Sequence, residues 1–248
     1  MEKSQIDSFI KKYYLNGTLN QVRWVSKDKT LSTTAMTPDR KFLAQVVLDK
    51  FDAFEDVEVG VLDTSTYLKM LNVVGSDVTF NLTRDPDDNS RVTSVTIADA
   101  KTESSIVAGD LSVIAESPKM KTIPNPEVEI KLNEDFISRF LKAKNALPDV
   151  DLFTLAMNKK RGRLEMVLGF STSSNINRIS LEVETADGKD KVTKPINFSA
   201  KILKEILTAN PDCKDNILKV SEQGLSFVEF TSGNVSTKYY MIKIDSED

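Results

Sequence analysis

The chain has 248 residues, 40% of them hydrophobic, and a formal net charge of −4. It has no histidine and a single cysteine, Cys213, which excludes an intrachain disulfide, a zinc finger, a Ser-His-Asp triad, a Cys-His pair and a two-His metal site. Neither a metal, a cofactor nor an enzymatic activity is expected. No stretch approaches the roughly 18 consecutive apolar residues of a membrane span, so no membrane partner is expected. The first residues, Met1-Glu2-Lys3-Ser4-Gln5, lack the apolar run of a signal peptide. With the lone cysteine this points to the cytoplasm.

Four segments carry a helical stripe. The first runs over about 4–15 with Phe9, Ile10, Tyr13 and Tyr14, and Ser4 as its cap. Strands follow near 22–26, 31–35, 42–48 and 57–62. The second helix spans about 64–74 with Tyr67, Leu68 and Leu71 behind Asp63, followed by strands near 78–83, 91–97 and 102–107. A strand at 128–132 leads into the third helix, about 133–145, capped by Asn133 and bearing Phe136, Ile137, Phe140 and Leu141. Strands near 151–158, 163–170, 176–184 and 194–198 lead to the fourth helix, about 199–210, with Ile202, Leu203, Ile206 and Leu207 behind Ser199. Strands near 217–221, 225–231 and 236–244 complete the chain. The unit is a strand, a helix and three strands, recurring about every 60–70 residues. Asp187-Gly188-Lys189 reads as a turn.

These elements predict an α+β chain of two similar domains, 1–108 and 127–248, each with two helices packed on antiparallel sheets. Residues 109–126 contain Pro118, Pro124 and Pro126, which cannot donate ladder hydrogen bonds. They read as an extended connector outside both sheets.

The helical segments carry Lys11, Lys12, Lys69, Arg139, Lys142, Lys144, Lys201 and Lys204 against Asp7, Asp63, Glu134, Asp135 and Glu205. They are net positive on an acidic chain. Lys11, Lys12, Lys69, Arg139, Lys142, Lys201 and Lys204 project away from the apolar arcs. On one helix such a face is ordinary solvation. Four helices turned the same way would give a basic surface that attracts phosphates without reading bases.

The doubled strand–helix–strands unit, the proline-bearing connector and the lysine-faced helices resemble a DNA sliding clamp. The chain is similar above all to the clamps of T-even-type bacteriophages, relatives of proliferating cell nuclear antigen. The likeness is diffuse and spans the chain; 57–71, 97–101 and Ile123-Pro124 carry it best. It implies a DNA clamp fold and a ring-forming head-to-tail homotrimer around duplex DNA, bound without sequence preference. It also implies a tethered DNA polymerase, a clamp loader complex and, in a virus, transcription factors as partners. Lys11, Lys12, Lys69, Arg139, Lys142, Lys201 and Lys204 would face DNA. The subunit joint would involve Thr102, Ser104 and Ile106 on one copy and Ile176, Ile179 and Leu181 on the next. A peptide pocket would draw on Leu111, Val113, Ile114, Ile123 and Pro124, with Tyr239 and Tyr240. The first helix departs from the pattern, since no clear strand precedes it.

Other motifs carry less. Residues 85–96 begin like a calcium loop, but Ser90 and Thr96 stand where Gly and Glu are needed. The basic cluster 159–163 lies between two strands and reads as a hairpin tip or a phosphate contact. No Gly-rich nucleotide loop occurs. A non-enzymatic β-rich assembly protein of a virion is the alternative; it needs the strands and the oligomer but not the lysine-faced helices.

Overall fold

The computed structural model describes residues 2–116, 125–171, 176–190, 192–212 and 215–245. The chain divides into two compact units. One holds 1–37, 43–119 and 231–237; the other holds 38–42, 120–230 and 238–248.

The first unit opens with α1 (Lys3–Tyr14), β1 (Val22–Lys27), β2 (Thr30–Met36) and β3 (Phe42–Asp49). It continues with β4 (Val57–Val61), α2 (Thr64–Val73), β5 (Thr79–Arg84), β6 (Val92–Ala98) and β7 (Glu103–Val107). β3, β2, β1 and β4 hydrogen-bond in that order, and β5, β6 and β7 form a separate three-stranded sheet. All these pairings are antiparallel. Strand β1 alternates in burial, turning Val22, Trp24 and Ser26 inward, the period-two pattern of a sheet with one wet face.

α1 and α2 lie side by side. Their apolar arcs meet Trp24, which is edge-on to Phe9 at 6.0 Å and to Tyr67 at 5.0 Å between centroids. The Trp24 Nε1–H donates to the Tyr13 hydroxyl at 3.1 Å. Burial pushes the Tyr13 phenol above its ordinary range. A second cluster, Phe51, Phe54 and Phe80, packs the loop after β3 onto β5.

The second unit begins with β8 (Val128–Leu132), α3 (Glu134–Ala146), β9 (Leu152–Asn158) and β10 (Arg163–Leu168). Next come β11 (Ile179–Glu182), β12 (Thr185–Asp190), β13 (Ile196–Ser199) and α4 (Ala200–Ala209), then β14 (Asn216–Val220), β15 (Leu225–Ser232) and β16 (Val235–Ile242). Here one sheet takes the order β12-β8-β14-β15-β16 and the other β11-β10-β9-β13. α3 and α4 again pack together. Phe136 and Phe140 of α3 and Leu203, Ile206 and Leu207 of α4 are buried with Phe153 and Phe198 of the sheet.

Three of the expected caps form. Asp63 accepts from Thr66 N, Asn133 from Phe136 N at 2.8 Å and Ser199 from Ile202 N at 3.2 Å, each satisfying a backbone donor that a helix start leaves free. The expectation for Ser4 fails: α1 begins one residue earlier behind Glu2, whose side chain makes no cap bond. The turn expected at 187–189 is also wrong. Those residues lie within β12, whose pairing with β8 is irregular, so glycine marks a break in register here. Expected strand 176–184 shrinks to β11.

The connector expected to stay outside both sheets is fastened at its start. Gly109 bridges β4, its N–H donating to Gly60 O at 2.8 Å. A Cβ on Gly60 would lie 2.3 Å from the Gly109 carbonyl oxygen. The following turn, Leu111–Val113, ends under Arg23 of β1. Arg23 Nη2 donates to Leu111 O and Ile114 O, each at 2.6 Å, and its Nε donates to Ile114 O at 3.1 Å.

Candidate nucleic-acid interface and subunit edges

Each helix turns its apolar arc inward, so the positions of its cations follow from its phase. On α3 the buried residues are Phe136, Phe140, Ala143 and Lys144. Ile137 and Leu141, expected within the stripe, are half-buried at its flank. Arg139 and Lys142 stand exposed on the opposite side, and Lys201 on α4 is exposed with Lys204 half-buried. On α1 and α2, Lys11 and Lys69 are exposed.

The expectation that Lys12 joins this cationic surface is overturned, because only 4% of it is accessible. It falls with Phe9 and Tyr13 among the buried residues of α1. Lys144 is likewise buried, and its Nζ donates to Pro148 O at 2.7 Å beyond the end of α3. A cation there complements the helix dipole and is unavailable to phosphate.

The surface charge is also partly neutralised. Lys11 pairs with Asp7 at 2.6 Å and Arg139 with Asp135 at 2.8 Å, both one turn apart. Lys69, Lys142, Lys201 and Lys204 make no ion pair among the described residues. Exposed pairs of this kind are worth little, about 0.3–0.5 kcal/mol, so a phosphate can exchange with the carboxylate.

Among the described residues the sheets end at β12 and β4, at β11 and β13, and at β5 and β7; β7 in the first unit and β11 in the second are the edges of the expected joint. The expected joint residues divide by parity. Ser104, Ile106 and Leu181 are buried in their own units; Thr102 and Ile179 are half-buried, and Ile176 is 51% exposed. Side chains that turn outward are Glu103, Ser105 and Val107 on β7, and Ser180 and Glu182 on β11. Val107 is 79% exposed and Val73, at the end of α2, 65%. Bonds from Asp99 N to Thr102 O and from Ala108 N to Thr93 O set the alternation on β7. In an antiparallel pair every second residue bonds its neighbour, so residues 103, 105 and 107 direct their backbone N–H and C=O to the free edge. Of the expected joint residues, Ser104, Ile106 and Leu181 are thus the inward ones.

The expected pocket residues fall in both units. Leu111 is half-buried, Val113 is 65% exposed, and Ile114 is buried against Gly60 and Gly109. Tyr239 is core: its ring stacks on Phe42 and its hydroxyl accepts from Asn210 Nδ2 at 3.2 Å. Tyr240 stacks on Phe227 at 4.8 Å. Ile123 and Pro124 lie outside the described residues.

Sequence reading missed Arg23, whose role has no local signal, because its partners lie 88 and 91 positions away. Among the described residues no group of three or more acidic or Cys side chains is placed to hold a metal, and no helix is long and apolar enough to cross a membrane.

No protein-family model matches the sequence, and no curated protein matches it. Solved structures do. Proliferating cellular nuclear antigen from Entamoeba histolytica superposes with a TM-score of 0.70 at 16% identity, covering 98% of this chain and 96% of that one. The structure of the C-terminal region of FEN-1 bound to A. fulgidus PCNA matches with a TM-score of 0.71 at 15% identity, covering 100% and 98%. Over its whole length the chain therefore has the α+β DNA-clamp fold of proliferating cell nuclear antigen.

Proposed function

We propose that the chain is a sliding clamp: three copies close head to tail into a ring around duplex DNA and tether a replicative polymerase for processive synthesis. The observation that carries this is the pairing, on a clamp fold, of exposed helix cations with two free strand edges in different units. Edges that would otherwise invite aggregation are hidden when β7 of one copy meets β11 of the next, and a heterologous contact makes a ring when its rotation closes.

Lys11, Lys69, Arg139, Lys142, Lys201 and Lys204 supply the DNA-facing charge. Their attraction is electrostatic and sequence-independent, through release of condensed counterions. Held topologically, the duplex needs no tight contact, so these cations centre it while it slides. A clamp loader opens the ring, and partner peptides dock beside the connector. Viral transcription factors are partners if the source is a bacteriophage, and the protein then works in the host cytoplasm.

The test combines mass in solution with DNA topology. Light scattering should give three times the 27.7 kDa chain, and loaded protein should remain on circular DNA and run off linear DNA. Equal retention on both forms, or a monomer at every concentration, overturns the reading. A virion assembly protein would oligomerise without that dependence on topology.

A further inference from the structure

The turn between β6 and β7 is built around one carboxylate. Asp99 Oδ1 accepts the backbone N–H groups of Lys101 at 2.6 Å and Thr102 at 2.7 Å, while Asp99 N donates to Thr102 O at 2.9 Å. That much is the local chemistry of an Asp in a turn. The other oxygen does something the turn does not need: Asp99 Oδ2 accepts from Gly75 N, twenty-four positions earlier.

Gly75 follows the last residue of α2 and its cap, Val74. One side chain therefore joins the exit of α2 to the entrance of β7. Space confirms how tight the fit is, since a Cβ on Gly75 would stand 3.1 Å from Asp99 Oδ2. The Lys101 N–H, then the Gly75 and Thr102 N–H groups, hold the carboxyl below its ordinary range, so it is ionised at neutral pH. A second, longer bond, Ser104 Oγ to Met70 O at 3.5 Å, runs between the same two elements. Both ends of this connected piece are exposed: Val73 closes α2, and Val107 closes β7.

We propose that Asp99 is a positioning residue for assembly, a latch that locks the end of α2 to β7 so that the free edge meets the next copy already formed. This rests on the reading of β7 as the subunit joint. An edge strand ordered before contact binds more tightly than one that must be ordered on contact, because the ordering entropy is already spent.

Two variants separate the latch from the turn. In Asp99→Asn the remaining oxygen still serves Lys101 and Thr102, but the amide presents a donor to the Gly75 N–H. Asp99→Ala loses both functions. Asp63→Ala serves as the control: it removes the cap at the other end of α2 and weakens the same unit without touching β7. The readouts are the trimer-to-monomer transition on dilution and the thermal midpoint. Loss of one charged hydrogen bond predicts that Asp99→Asn and Asp99→Ala each raise the concentration of half-dissociation by about tenfold or more. Asp63→Ala should lower the thermal midpoint and leave that concentration unchanged. Wild-type assembly in Asp99→Asn, or equal weakening in Asp63→Ala, overturns the latch. A wild-type protein that never assembles overturns the joint itself, and the two failures are thereby distinguished.

Discussion

Gly60 and Gly109 are in backbone contact, with the Gly109 N–H on the Gly60 carbonyl at 2.8 Å and no space between them for a methyl group. Gly60 has no positive φ, so its requirement is for space rather than for conformational freedom. Gly60→Ala would force β4 and the connector apart and should cost about 1–3 kcal/mol, as overpacking does. Gly162→Ala is the comparison: its site is open, and the cost there comes only from its φ of +62°. Urea midpoints for the two variants check this.

Arg23 closes the same junction from the side. A lysine cannot reproduce its fork over Leu111 O and Ile114 O. Arg23→Lys should leave the fold in place and loosen the first residues of the connector, which limited proteolysis would show as faster cleavage near 110–116. An unchanged cleavage rate would mean that the Gly60–Gly109 bridge holds the segment alone.

Ser105 lies on β7 with its N–H directed to the free edge. Proline there removes no bond to β6, and edge strands tolerate proline on their unpaired side. Ser105→Pro should give a folded monomer, seen as a normal thermal midpoint with one third of the assembled mass.

Lysines outside and inside the helix packing should behave oppositely. Lys142→Glu with Lys204→Glu should preserve the fold, lower polymerase processivity and flatten the salt dependence of DNA association by about one phosphate contact per lysine. Lys12→Glu places an anion in the interior of α1 and should destabilise by several kcal/mol, with circular dichroism showing loss of helix.

Stability should be flat across neutral pH, because no histidine titrates there. The carboxyls of Asp63, Asp99 and Asp110 are held low, first by the Thr66 hydroxyl, the Lys101 N–H and the Ser112 N–H respectively. Their folded values lie below the unfolded value near 3.9. Their contribution is therefore fully present above about pH 5 and is lost as pH falls through the folded values. Thermal midpoints between pH 3 and 8 check this; a midpoint that changes between pH 5.5 and 7.5 contradicts it.

What the sequence revealed and concealed follows from the range of each interaction. Phe136 with Phe140 and Leu203 with Ile206 and Leu207 set the helices, because helical spacing is local. Phase was harder. Ile137 and Leu141 look as apolar as Phe136, yet α3 rotates to bury Ala143 and Lys144, since packing against the sheet and against α4 decides the arc. Gly188 was misleading because glycine serves turns and irregular strands alike. Ser104 and Ile106 turn out to be buried in their own unit, because along β7 burial and exposure alternate residue by residue. Arg23 left no trace, since its partners lie far along the chain, and for Asp99 only the reach to Gly75 was hidden, its bonds to Lys101 and Thr102 being local.

The proposed joint between β7 and β11 would give the assembly a direction. In the proposed assembly one copy offers β7 and the next answers with β11, so every added subunit leaves one donor end and one acceptor end still open. Growth by such a rule has no intrinsic stopping point; it halts only when the last end reaches the first. A substitution that merely tilts β7, without weakening its hydrogen bonds, would therefore be expected to yield fibres instead of free subunits.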